Sequence, residues 1–123
     1  MKIVISSTGK TLESEVDTRF GRCPYFLIVE IENKKLKNVK AIENTATSQA
    51  GGAGISAAEV VANEKPEVVI TVNMGPRAFS VFEQFGMKIY QGQGKIKGVV
   101  QKFIDGKLKE VTNATGPQHI GLK

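Results

Sequence analysis

The sequence predicts an α/β domain with a mixed sheet of five strands and helices on its faces. Short runs of β-branched and other apolar residues, as in residues 3–5 and 68–72, predict buried strands. Apolar residues at helical spacing predict amphipathic helices in the second half of the chain. Because the first three predicted strands precede any helix, we expect a leading hairpin followed by β-α-β-α units.

The predicted strands begin at the N-terminus. Residues 3–5 are continuously apolar, which is typical of a strand buried on both faces. Residues 26–31 and 36–43 form the next two strands, and the polar turn between them indicates a hairpin. Residues 44–54 are rich in Ser, Thr, Ala and Gly and are predicted to be a loop.

Strands and helices alternate in the rest of the chain. Helices are predicted at residues 55–63, 76–85 and 96–105, with strands at residues 68–72 and 87–91. Pro76 suits a first helical turn, where its missing N–H costs nothing. Gly106 is predicted to cap the last helix. The apolar stripe of the middle helix is predicted to contain Ala78, Val81, Phe82 and Phe85.

Length and composition indicate one soluble domain. The chain has 123 residues, 41% of them hydrophobic, and we expect a single domain over residues 1–111 followed by a flexible tail, residues 112–123. No apolar run is long enough to span a bilayer, and the N-terminus does not resemble a signal peptide. A single cysteine gives no internal disulfide, so we expect a cytoplasmic protein without a membrane partner.

The net charge of +5 is unevenly distributed. Residues 1–87 contain ten basic and ten acidic residues, whereas residues 88–123 contain seven lysines against Asp105 and Glu110. This asymmetry indicates either an anionic partner or a solvated, lysine-rich surface. Nucleic acid is disfavoured as the partner because no strand or helix face combines aromatic and basic residues.

The connection between the first two strands, residues 7–24, is longer than compact domains usually need, which favours a functional loop. It contains Arg19, Phe20, Gly21 and Arg22. Ligands in such sheets bind beyond the carboxyl ends of the strands, where this loop is expected to meet residues 44–54 and 73–76. The sequence therefore predicts a site formed by these three loops.

Two predicted helices begin at glycine-containing segments. Gly51, Gly52 and Gly54 precede or open one helix, and Gly75 precedes another. Free N–H groups and the positive end of the helix dipole can hold an anion at such a position. The alternative is that these glycines serve only tight backbone turns.

Three side chains are candidate metal ligands. Cys23 lies near Arg19 and Arg22 in sequence, and nearby positive charge would favour the metal-binding thiolate. The alternative for Cys23 is a small buried apolar residue. His119 is either a ligand carried by the tail or a solvated residue. Met74 offers a thioether beside a helix start, or packs in the core.

Catalytic groupings are scarce in this sequence. It has no Ser-His-Asp set and no pair of metal ligands at helical spacing, and Asp17 is the one acidic residue within residues 17–26. A non-enzymatic function is therefore expected.

Three segments of the sequence, taken in order, resemble the dinitrogenase iron–molybdenum cofactor biosynthesis family. They are Asp17-Thr18-Arg19-Phe20-Gly21-Arg22-Cys23-Pro24-Tyr25-Phe26, Gly51-Gly52-Ala53-Gly54-Ile55 and Val72-Asn73-Met74-Gly75-Pro76. That family includes NifX, NafY and the C-terminal domain of NifB. The resemblance covers roughly residues 1–111 and implies a ribonuclease H-like, three-layer α/β/α fold.

The resemblance implies a non-enzymatic carrier that binds iron–molybdenum cofactor, an iron–sulfur cluster or a precursor, and exchanges it with donor and acceptor proteins. Such clusters are anionic. The site residues would be Arg19, Phe20, Gly21, Arg22, Gly51, Gly52, Gly54, Met74 and Gly75, with Cys23 or His119 as metal ligand. The alternatives are a metal-free module that binds an anionic ligand or protein, and a ribonuclease H-like nuclease.

Overall fold

The computed structural model describes residues 1–46 and 53–113, and these residues form six strands, three α-helices and one short 3₁₀ helix. The strands are β1 (Lys2–Ser7), β2 (Tyr25–Glu32), β3 (Lys35–Glu43), β4 (Val68–Thr71), β5 (Lys88–Gln91) and β6 (Lys109–Glu110). The helices are α1 (Ala53–Ala62), α2 (Pro76–Gln84) and α3 (Ile96–Ile104), and the 3₁₀ helix is Phe20–Arg22.

The strands form one mixed sheet in the order β3-β2-β1-β4-β5-β6. Strands β1, β4 and β5 are parallel, while β2 is antiparallel to both of its neighbours and β6 is antiparallel to β5. The parallel strands end at Ser7, Thr71 and Gln91. We call this side of the sheet the carboxyl edge, and the long loop after β1 leaves from it.

Alternate strand residues contribute to two separate hydrophobic cores, one on each face of the sheet. One core combines strand residues such as Val4 and Val69 with buried side chains of α1 and α2. The other combines residues such as Ile5 and Ile70 with buried side chains of α3. The described residues therefore form three layers, with α1 and α2 on one face of the sheet and α3 on the other.

The mixed sheet, its leading hairpin and the three helices are confirmed. Each predicted element begins and ends within two residues of the observed first and last residues. The predicted strand number is wrong, because the sheet has a sixth strand, β6. This strand contains only Lys109 and Glu110 and pairs with Gln91 and Tyr90 of β5. Two charged residues show no apolar pattern, so the pairing is not visible in the sequence.

The predicted apolar stripe of α2 is wrong at Phe85. Phe82 is fully buried, whereas 64% of Phe85 is exposed. The helix ends at Gln84 and Phe85 is its C-terminal cap residue, with φ of −88° and ψ of 0°. The apolar stripe therefore reaches the core as far as Phe82, and Phe85, past the last residue of the helix, is mostly solvated.

The end of α3 follows the prediction, since Gly106 has a φ of +72°, a left-handed value that glycine adopts readily. Residues 112 and 113 of the predicted tail are described, and residues 114–123 lie outside the described part of the chain. Within that part, none of the helices is long and apolar enough to span a membrane.

We expect Phe82→Ala to lower the free energy of unfolding by about 3–5 kcal/mol, because it removes a fully buried ring and leaves a cavity. The matched variant Phe85→Ala should change it by no more than about 0.5 kcal/mol, because that ring is mostly solvated. Urea unfolding of both variants measures the two values. Equal losses would contradict the observed end of α2.

Candidate functional site

The first half of the loop after β1 accepts hydrogen bonds from the first residues of α3. The backbone N–H of Thr8 donates to the Glu15 carbonyl at 3.0 Å, which folds the loop back on itself. The N–H groups of Ile96 and Lys97 donate to the carbonyls of Ser14 and Leu12, at 2.9 and 3.0 Å. Part of the predicted functional loop therefore has a structural role, satisfying N–H groups that a helix start leaves open.

The second half of the loop, residues 17–23, lies along the carboxyl edge of the sheet, and we call it the arginine segment. The Asp17 N–H donates to the Ser6 carbonyl at 2.9 Å, and the Ser6 hydroxyl donates to the Asp17 carbonyl at 3.0 Å. The same hydroxyl lies 2.7 Å from that of Thr71 in β4. Arg19 then forms an isolated parallel bridge with Asn73, so the segment is attached to both β1 and the loop after β4.

The Asp17 carboxylate holds Arg19 in place. Asp17 is 4% exposed, and its Oδ1 accepts hydrogen bonds from the Arg19 backbone N–H at 2.9 Å and from Nε at 3.3 Å. Its Oδ2 accepts a longer bond from Nη2 at 3.4 Å. The hydrogen bond and the charge of Asp17 raise the pKa of Arg19. The Arg19 side chain is nevertheless 64% exposed, so a fixed positive charge faces solvent.

Phe20 anchors the arginine segment in the core between the sheet and helices α1 and α2. It is 3% exposed, and its ring lies 5.3 Å from the ring of Phe26 and 5.5 Å from that of Phe82. The second contact is edge-to-face, at 86°. This anchor leaves Arg19 and Arg22 exposed while Phe20, between them, packs in the core.

Cys23 is fully buried, and its thiol donates to the Phe20 carbonyl at 3.3 Å. Burial raises the pKa of the thiol to about 12, outweighing the Ser7 and Asn44 donors that favour the thiolate. The thiol is therefore kept protonated in this conformation, and the role of Cys23 as a metal ligand stays a prediction. The alternative role, a small buried apolar residue, agrees with its surroundings.

Asn44, which was not predicted to be a site residue, forms hydrogen bonds with the end of the arginine segment. Its side-chain Nδ2 donates to the Cys23 carbonyl at 2.8 Å and more weakly to the Gly21 carbonyl at 3.4 Å. Its Oδ1 accepts from the Ala46 N–H at 3.1 Å. Asn44 is 2% exposed and thus satisfies main-chain groups of two loops at once.

The loop after β4 brings the start of α2 to the same edge. Gly75 is the N-terminal cap residue of α2 and has no side chain to cap the first turn. Met74 is 1% exposed and packs in the core beside α1 and α2. Gly54 lies in α1, where an added Cβ would be 3.8 Å from the Ala78 Cβ, so the two helices are close there.

The structure thus brings most of the predicted site residues to one edge of the sheet. These are Arg19, Phe20, Gly21, Arg22, Cys23, Met74 and Gly75, with Gly54 on the adjoining α1. Gly51, Gly52 and His119 lie outside the described residues. Within residues 1–46 and 53–113, no three His, Cys, Asp or Glu side chains come together as metal ligands.

Two polar side chains support the segment in ways that were not predicted. Asp17 was expected in the candidate site but not as the group that holds Arg19, and Asn44 was not assigned a role. An Asp two residues before Arg19 is a detectable signal, because Asp side chains often accept the N–H two residues on. Asn44 acts over more than twenty residues of sequence and leaves no local pattern.

Comparison with known proteins identifies the family of this chain. The family model described as dinitrogenase iron–molybdenum cofactor matches residues 1–106. An uncharacterized protein of Methanocaldococcus jannaschii is 40% identical over 98 residues, which cover 79% of this chain and 83% of that protein.

Two solved structures are similar over nearly their whole length. The apo form of the orange protein from Desulfovibrio gigas has a TM-score of 0.83 and 29% identity, covering 93% of this chain and 95% of that one. A Thermotoga protein provisionally assigned as NifB has a TM-score of 0.79 and 32% identity, covering 94% and 97%. On the family match and these relatives, this chain belongs to the dinitrogenase iron–molybdenum cofactor family.

Proposed function

We propose that this protein is a small, non-enzymatic carrier in the cytoplasm. Its cargo is an iron–molybdenum cofactor-like cluster, an iron–sulfur cluster or a precursor, which it passes from a donor protein to an apo-protein. Family membership supports the class of cargo. The observation that carries the proposal is the pair of exposed arginines, Arg19 and Arg22, on a segment anchored at the carboxyl edge.

The chemistry of the edge suits an anionic cargo. Guanidinium groups donate several hydrogen bonds in a fixed plane and keep their charge at all physiological pH values. Asp17 restrains Arg19, which reduces the conformational entropy lost on binding. The N-terminus of α2 adds free N–H groups and a positive dipole end near Asn73 and Gly75.

Cys23 and His119 are the proposed metal ligands. Cys23 fits this role only if binding exposes its thiol and removes its proton, since both burial and a raised pKa oppose ligation. His119 on the tail, and N–H groups around Gly51 and Gly52, are proposed as further contacts. A site dominated by arginines would hold the cluster by charge and hydrogen bonds, which favours release to an acceptor.

The alternatives have less support. A metal-free module would use the same arginines for an anionic ligand, and the test below separates it from the carrier. A nuclease would need carboxylates free to bind metal, whereas Asp17 is occupied by the backbone and side chain of Arg19. The ribonuclease H-like arrangement stays a proposal, supported by the leading hairpin and the three layers.

We expect the double variant Arg19→Gln/Arg22→Gln to bind an offered cluster at least about tenfold more weakly, because two charged hydrogen-bonding groups are lost. Anaerobic titration with isolated iron–molybdenum cofactor, and separately with a reconstituted iron–sulfur cluster, followed by absorption and metal analysis, measures the affinity. The control is Lys35→Gln/Lys40→Gln, which removes two exposed charges from β3. If the wild type binds a cluster stoichiometrically and both variants bind it with the same affinity as the wild type, that result would contradict the arginine site.

Absence of binding by the wild type to either cluster would overturn the carrier function and favour the metal-free module. The same titration with His119→Ala and Cys23→Ala assigns the ligand. Loss only in His119→Ala supports ligation from the tail. Loss only in Cys23→Ala supports opening of the core around Cys23.

Cys23 should also make stability depend on pH in the alkaline range. The unfolded thiol ionises near its ordinary pKa of 9.0, while the folded thiol stays protonated up to about 12. Between these values the unfolded state binds fewer protons, so stability falls as pH rises, by at most about 1.4 kcal/mol per pH unit. Urea unfolding at pH 8 and pH 10.5 should show this extra loss in the wild type relative to Cys23→Ala. Parallel losses in the two proteins would show that the thiol is not protected.

A further inference from the structure

A groove lies at the end of the sheet opposite the candidate site, and we call this end the amino edge. Val68 and Lys88, the first residues of β4 and β5, contribute to its lining. The half-buried side chains of Met87, Tyr90 and Phe103 make part of its wall apolar. The groove has a volume of about 900 Å³, which is within the usual range for protein binding pockets. It is therefore large enough to receive several side chains.

Two exposed apolar side chains lie at this groove. Among residues 1–46 and 53–113, three large apolar side chains are exposed, namely Met1, Leu36 and Phe85. Met1 and Phe85 both line the groove, and 52% and 64% of them is exposed. Single exposed apolar residues are common, whereas exposed apolar residues beside an apolar groove are typical of a surface that another segment covers.

The charges at the groove do not favour an ionic occupant. Lys65, Glu67 and Lys88 all contribute to the lining, so groups of both signs lie together there. The apolar wall is therefore the feature that an occupant would recognise. An occupant with few charges and exposed apolar side chains fits this wall best.

The end of the described chain runs toward the groove. Strand β6 is antiparallel to β5, and Glu110 lies opposite Tyr90. The Val111 N–H then donates to the Ile89 carbonyl at 2.7 Å. Each step along this pairing moves the chain toward Lys88, the first residue of β5, which lines the groove. The chain after Val111 is therefore directed to the amino edge.

Residues 114–123, which lie outside the described part of the chain, follow from this point. They contain two large apolar side chains, Ile120 and Leu122, and Lys123 is their only side chain with a fixed charge. In an extended segment, side chains two residues apart lie on the same side, so both can enter one groove.

The connection to this apolar pair is short enough to favour docking and long enough to allow it. Seven residues separate position 113 from Ile120, and an extended chain of that length spans about 23 Å. This reach covers a groove that begins beside Lys88. A short covalent connection also gives the pair a high local concentration, so weak apolar contacts suffice.

We propose that Ile120 and Leu122 of this chain dock in the groove at the amino edge. The pairing of β6 with β5 directs the segment to the groove, and the segment supplies the apolar side chains that its wall would accommodate. Docking holds His119, the neighbour of Ile120, at the edge opposite Arg19. One consequence rests on the proposed function: His119 can ligate a cluster at the carboxyl edge only after the segment leaves the groove.

The test uses the full chain without any cluster, so it is independent of cargo binding. The chain has three methionines, and their ¹³C-labelled methyl groups give separate signals in nuclear magnetic resonance spectra. Met1 and Met87 line the groove and report on its occupation. Met74, which is 1% exposed in the core, is the internal control for an unchanged fold.

The spectra are compared for the wild type, Ile120→Ser/Leu122→Ser and the matched variant Thr115→Ser/Gln118→Ser, which changes the same segment without altering its apolar pair. We expect Ile120→Ser/Leu122→Ser to shift the Met87 signal by more than its line width, because the apolar contacts are lost. The Met74 signal should stay in place, and the matched variant should shift neither signal.

A Met87 signal at the same position in the wild type and Ile120→Ser/Leu122→Ser would overturn the inference. Equal Met87 shifts in the two variants would also overturn it, because the apolar pair would then have no special role. Docking within one chain does not depend on protein concentration. A wild-type Met87 signal that moves to the position of Ile120→Ser/Leu122→Ser on dilution would show instead that a second copy occupies the groove.

Discussion

Attachment of residues 17–23 to the carboxyl edge of the sheet is the constraint on which the candidate site depends. Hydrogen bonds between Ser6 and Asp17 extend the end of β1 into the segment, and Phe20 inserts between Phe26 and Phe82. Protein cores are closely packed, so neither the main chain of the segment nor the Phe20 ring can move without disturbing the core. Arg19, by contrast, remains exposed, so the core supports a charged surface.

This arrangement separates structural roles from binding roles within one short stretch of sequence. Asp17, Phe20 and Cys23 face inward and support the segment, while Arg19 and Arg22 face solvent. The proposed carrier would have to bind its cargo and also release it, and contacts based on charge and hydrogen bonds suit that better than a closed set of metal ligands. The rigid support lowers the entropic cost of presenting those charges. The fold thus accounts for a preorganised but open cationic surface, which suits the anionic cargo proposed above.

Most of the fold could be predicted because buried strands and amphipathic helices leave periodic apolar patterns. The failures occurred where that signal is absent: β6 consists of Lys109 and Glu110, and Phe85 continues an apolar spacing one residue beyond the helix. At the site, the arginines and the edge were predictable from chain order and loop length. The burial of Cys23 and the role of Asn44 were not, because both depend on contacts between distant segments.

The most direct test of the account is to locate the cargo on the folded protein. Nuclear magnetic resonance spectra of the ¹⁵N-labelled chain, recorded without oxygen, would be compared before and after addition of paramagnetic iron–molybdenum cofactor. We expect loss of backbone amide signals from residues 19–22 and 73–75, with those of Glu67 and Lys88 at the opposite edge retained. Signal loss centred on the opposite edge, or no loss at stoichiometric cofactor, would contradict it.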